Sequence, residues 1–99
     1  MRAHPEADAE AREAMLWYEE RSFLAADNFL SELDHYREHI TTHPLAGHPC
    51  YGVYRRLNLK TFPFALIYRP DGDSIYLIAV MHEKRHPDYW KHRTEDDQF

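Results

Sequence analysis

Two periods of apolar residues divide the chain. From Pro5 to about Arg21 the period is helical: Ala7, Ala11, Ala14 and Tyr18 fall on one face. Pro5 suits a first helical position, and Glu6, Asp8 and Glu10 lie in or near the turn where acids meet the positive end of the helix dipole. A break at Ser22 and Phe23 leads into a second helix reaching about Thr41. Its stripe is Ala26, Phe29, Leu30, Leu33, Arg37 and Ile40, with Tyr36 at the edge. The short link predicts an antiparallel helical hairpin. The stretch HPLAGHPCYG, with two prolines and two glycines, reads as a loop that stops the second helix.

After that loop the period becomes two. In VYRRLNLK, Val53, Leu57 and Leu59 alternate with Tyr54, Arg56, Asn58 and Lys60. Arg55 falls on the apolar parity, so either a bulge lies nearby or this arginine is paired beneath the sheet. A second strand, FALIYR, ends at the tight-turn signature PDGD. The third, SIYLIAVM, is apolar on both parities and should be the most buried, covered on both faces or flanked on both edges. It runs into HEKRHPDYW, which crowds two histidines, a lysine and an arginine before a proline, a tyrosine and a tryptophan. The expected class is α+β: a helical hairpin packed on one face of a small, mainly antiparallel sheet, with a short helical segment at the C-terminus.

The length of 99 residues allows one core, so residues 1–93 are read as a single domain and 94–99 as a disordered acidic tail. The single cysteine, Cys50, excludes an internal disulfide and fits a reducing compartment. No apolar run approaches a membrane span, and MRAHPEADAEAREA has no apolar leader region, so a cytoplasmic protein is expected. The net charge of −5 is uneven. Residues 1–44 hold 4 Lys/Arg against 10 Asp/Glu, whereas residues 45–93 hold 8 against 4. A positive sheet on an acidic protein suits either a specific anionic partner or simply a basic strand surface; it does not suit broad nucleic-acid binding.

Three groups carry candidate chemistry. His35, His39 and His43 recur every four residues, which is a spacing for zinc, but their face is opposite the Phe29–Leu33 stripe and reads as solvated surface. Cys50 has no legible base or acid companion. Arg56, Asn58 and Lys60 project from one face of the first strand, and an antiparallel sheet can bring them to one surface with His82, Arg85, His86 and Tyr89. RNA cleavage without a metal needs a base, cations on the scissile phosphate and an acid. His82, Arg85 and Tyr89 can be cast in those roles. Alternatively, Pro87, Tyr89 and Trp90 only fold the C-terminal segment over the sheet, with Arg85 pairing locally. No cofactor or metal is called for.

The segments HPEADAEAREAMLWYEE, YGVYRRLNLKTFPFALIYR, DGDSIYLIAVMHEKR and HPDYW, in this order, resemble the RelE/ParE superfamily of bacterial type II toxin–antitoxin toxins, also known as plasmid stabilisation proteins. The resemblance spans roughly residues 4–93. It implies a helical hairpin on a twisted sheet, a growth-inhibiting toxin, and a small DNA-binding antitoxin whose amphipathic tail wraps it. RelE-like relatives cut mRNA in the ribosomal A site; ParE-like relatives inhibit DNA gyrase. Arg56, Arg85 and Tyr89 match the nuclease pattern, whereas Asn58 and Ala65 stand where it has cations, and His82 is a substitute base. This departure favours ParE-like grouping. The enzyme alternative is a metal-independent mRNA endonuclease using Arg56, His82, Arg85 and Tyr89, and a third is a degenerate toxin that keeps only antitoxin binding. The family's opening strand is reduced here to Met1–Ala3, which would leave SIYLIAVM with an exposed edge.

Overall fold

The first helix, α1, runs Pro5–Glu19. His4 caps it: its ring Nδ1 accepts the Glu6 N–H at 3.1 Å, and Pro5 takes the position where an N–H would be wasted. α2 runs Phe23–Thr42 and is capped by Ser22, whose hydroxyl accepts the Ala25 N–H. The computed structural model describes residues 1–97.

Among the described residues five strands complete the fold: β1 (Arg2–Ala3), β2 (His48–Tyr51), β3 (Tyr54–Asn58), β4 (Phe64–Asp71) and β5 (Ser74–His82). The sheet order is β1-β5-β4-β3-β2. Only the β1–β5 pair is parallel. The PDGD turn behaves as read, with Asp71 opposite Ser74 and Gly72 at φ +62°.

The sheet is covered on both faces. Ala7, Ala14, Phe29, Leu33 and Ile40 of the hairpin pack on Leu66, Tyr68, Ile75, Leu77 and Val80. On the other face Tyr54, Ala65, Ile67, Ile78, Ala79 and Met81 lie under Trp90. This is why β5 is apolar on both parities. β4 and β5 slip by one residue at Ile67/Tyr68, so Ile78 and Ala79 both join the second face.

Three expectations change. The stretch read wholly as loop contains β2, whose His48 and Pro49 pair with Arg56 and Arg55 before a bulge at Tyr51. Glycine and proline content hid it, because an edge strand tolerates proline. Val53 is not a core position: it is 67% exposed in the β2–β3 turn, while Tyr54 is buried against Trp90. The open edge of β5 is also partly closed. Arg2 and Ala3 pair with Tyr76 and Leu77, and the His4 N–H reaches the Leu77 carbonyl at 2.8 Å. Both readings of Arg55 hold: the bulge is present, and its guanidinium donates to the Gly47 carbonyl at 2.8 Å. On the same side the Tyr68 hydroxyl donates to Pro44 O and accepts from Gly47 N, which fixes the α2–β2 link.

Past β5, turns lead to a 3-10 helix, Lys91–Asp97. The acidic tail expected to be unstructured from residue 94 therefore overlaps this helix, where the Thr94 hydroxyl donates to Lys91 O. Residues 98 and 99 lie outside the described residues.

Candidate functional site

Strand parity separates the residues that the sequence grouped together. Arg56 and Asn58 share the parity of Tyr54, on the Trp90 face of the sheet. The Arg56 Nε donates to Asn58 Oδ1 at 2.9 Å. His82 has the opposite orientation. It pairs with Phe64, a helix-face residue, and its ring meets the Phe64 ring edge-on at 5.0 Å. Arg56 and His82 therefore project from opposite faces, and the single surface expected for Arg56, His82, Arg85 and Tyr89 does not form. The slip in the β4–β5 ladder decides this, and nothing in the alternation of β5 marks it.

His82 and Arg85 meet at the end of β5 beside α1, and Tyr89, which packs against the Trp90 cluster, joins them through Arg85. The His82 Nδ1 accepts the Lys84 N–H at 3.1 Å. That bond favours the tautomer with its hydrogen on Nε2. The Arg85 guanidinium lies 3.8 Å from the Tyr89 ring centroid and 3.8 Å from Glu10 Oε2. The Tyr89 hydroxyl donates to Glu10 Oε2. Burial, then the hydrogen bond and charge of Glu10, push the Tyr89 pKa far above its ordinary value. The phenol is thus held neutral, as a donor to a fixed carboxylate.

Glu10 is the hub of the site, and the sequence reading missed it. From the sequence it is legible only as an acid in or near the first turn of α1. Its side chain is 12% exposed and also accepts from Arg93, with Nη1 at 2.9 Å from Oε1 and Nη2 at 3.1 Å from Oε2. Arg93, whose side chain is 6% exposed, was not singled out either. Its Nε lies 2.9 Å from the Glu6 carboxylate. Glu6 and Glu10 are four apart on one helix face, a spacing that called for a cation between them. Which cation came there was not legible, because Arg93 is 83 residues from Glu10.

Beside this knot a groove of about 380 Å³ opens between α1 and the end of β5. Its apolar lining comes from Ala14, Trp17, Tyr18, Phe64 and Val80, and its rim from Glu10, Glu13, His82 and Arg85. Trp17 is half exposed and is stacked by Arg21 at 3.5 Å. The arrangement has acids on the helix wall and bases on the strand wall, with apolar surface between them. It can seat an amphipathic segment of a partner protein.

The other candidates lie elsewhere. His39 and His43 stack with ring centroids 4.9 Å apart, and His35 packs edge-on against Tyr36. Among the described residues no group of three His, Cys, Asp or Glu side chains is placed to hold a metal ion. The Cys50 thiol donates to Tyr54 O at 3.6 Å, and desolvation raises its pKa against the pull of Arg56 and Lys91. A raised pKa disfavours the thiolate that a nucleophile needs. Among the described residues, no helix is long and apolar enough to cross a membrane.

A comparison with curated proteins finds no match. The family comparison matches residues 1–87, which takes in the helical hairpin, the whole sheet and Arg85 but stops short of Tyr89, Trp90 and Arg93. With that match and this architecture, the chain belongs to the family described as ParE toxin of type II toxin-antitoxin system, parDE.

Proposed function

We propose that this ParE-family toxin arrests growth by binding an essential protein target, with DNA gyrase the first candidate, and that a small cognate antitoxin neutralises it in the cytoplasm. The observation that carries the binding reading is the division of the candidate catalytic residues. Arg56 projects from the Trp90 face, His82 from the helix face, and the Tyr89 hydroxyl is engaged by Glu10. Metal-independent RNA cleavage needs its base, cation and acid around one phosphate. A surface inhibitor needs only shape and charge, which the mixed groove beside α1 supplies. Gyrase as the target rests on the family likeness alone.

Induced expression should arrest growth, and co-expression of a neighbouring small gene with a DNA-binding N-terminus should relieve the arrest. Purified toxin should inhibit gyrase supercoiling. Primer extension on cellular mRNA should show no A-site cuts. A-site cuts that depend on Arg85 would replace this reading with the endonuclease one. An absence of arrest, with antitoxin binding intact, would leave a toxin that has lost its target.

A further inference from the structure

β1 stops at Ala3 because the next residues cap and begin α1: His4 is the N-cap and Pro5 has no N–H to give. Its partner β5 runs on to His82. Backbone groups of β5 past Leu77 would therefore face an empty edge. In a parallel ladder, one neighbouring residue donates its N–H to a carbonyl and accepts from the N–H two positions further on. Around Ala79 those two groups are the Ile78 carbonyl and the Val80 N–H. Both are taken by side chains. Arg93 Nη1 donates to Ile78 O at 3.1 Å, and Glu10 Oε1 accepts the Val80 N–H at 3.0 Å. Arg93 and Glu10 are joined to each other by the two-pronged pair already described. One side supplies the donor, the other the acceptor, and the ion pair links them as a peptide unit links the N–H and C=O of a strand.

We propose that the Glu10–Arg93 pair is a strand surrogate that locks the β5 edge and so keeps β5 from pairing with a second copy of the chain. The occupant excluded is another copy because β5 carries its own hazard. Residues Ile75–Met81 are all buried apolar positions or tyrosine, without charge, proline or glycine, as in segments that pair edge to edge when exposed. The lock comes from two distant places. Glu10 sits on α1 within the family-matched span, whereas Arg93 lies beyond residue 87 in the C-terminal segment. Docking that segment therefore closes the edge as well as covering the Trp90 face. This inference does not depend on the toxin's target.

The test combines amide hydrogen exchange with sedimentation on the full chain and on Arg93→Met and Glu10→Ala. The wild-type protein should sediment as a monomer, with the Val80 amide exchanging as slowly as those of the neighbouring core strand. Each variant should exchange Val80 at least about tenfold faster when dilute. Each should associate on concentration, with protection of Val80 restored in the associated form. Three results would overturn the proposal: variants that exchange quickly yet stay monomeric, variants whose Val80 amide stays protected as monomers, and association that leaves Val80 unprotected. Should either variant lose its circular dichroism signal, Glu10→Gln decides. It keeps an oxygen for Val80 but weakens the hold on Arg93, and the same association, shifted to higher concentration, is expected. A folded Glu10→Gln that never associates overturns the proposal.

Discussion

Tyr89→Phe separates a structural tyrosine from a catalytic one. The change removes a single oxygen and keeps the ring under Arg85. The lost interaction is a phenol donating to the Glu10 carboxylate in a half-buried site. A hydrogen bond to a charged group contributes about 1.5–3 kcal/mol. Glu10 still accepts from Arg93 and Val80, so no acceptor is stranded and the lower figure, about 1.5 kcal/mol, applies. For a domain of this size that lowers Tm by roughly 6–12 °C. The pH dependence follows from the raised pKa of Tyr89. In the folded state the protonated phenol is favoured, so its contribution is fully present below the unfolded pKa near 10 and is lost as pH rises above it. Thermal unfolding from pH 7 to 11 should show wild type losing more stability at the alkaline end than Tyr89→Phe. Tyr18, whose pKa burial also raises, keeps a smaller loss in both. Growth arrest at a permissive temperature should persist in the variant. A Tyr89→Phe protein as stable as wild type but without arrest would refute the reasoning and restore Tyr89 as a proton donor in catalysis.

Four further outcomes are expected in denaturant unfolding. Gly47→Ala should destabilise by about 1–3 kcal/mol, because a Cβ there would lie 2.9 Å from both the Arg56 carbonyl and the Tyr68 hydroxyl; an unchanged midpoint would mean that the α2–β2 link is free to move. Glu32→Ala should cost about 1–3 kcal/mol, because the Glu32 carboxylate accepts the N–H groups of Thr61 and Phe62 at the β3–β4 connection. Trp90→Ala should cost about 3–5 kcal/mol, since this 2% exposed side chain covers the second sheet face. Trp90→Phe should cost much less, because the buried indole N–H has no hydrogen-bond partner among the described residues; equal losses would mean that the indole nitrogen is engaged after all.

Most of the secondary structure could be read from residues close together in the chain. Ser22 and His4 cap where the helical period begins, the stripe through Ala26, Phe29, Leu33 and Ile40 is the buried one, and PDGD turns as its composition requires. Leu30, placed on that stripe, lies at its rim and is 39% exposed. β2 escaped notice because an edge strand of four exposed residues has no apolar alternation to betray it. The uneven charge was legible, but its use was not. Two basic residues of the positive half of the chain, Arg85 and Arg93, turn toward Glu10 of the acidic helical layer.

The alternation of apolar and polar residues, with the caps and turns between them, was enough to specify the hairpin, three of the strands and the family likeness. These depend on neighbours within a few residues, whose geometry the backbone fixes directly. The site depended on other things. A one-residue slip between β4 and β5 put Arg56 and His82 on opposite faces, and folding alone brought Arg93 to Glu10 and Val80. A slip of one residue reverses every side chain beyond it, and a contact across 83 residues leaves no period in the chain. Such features are decided where the layers pack.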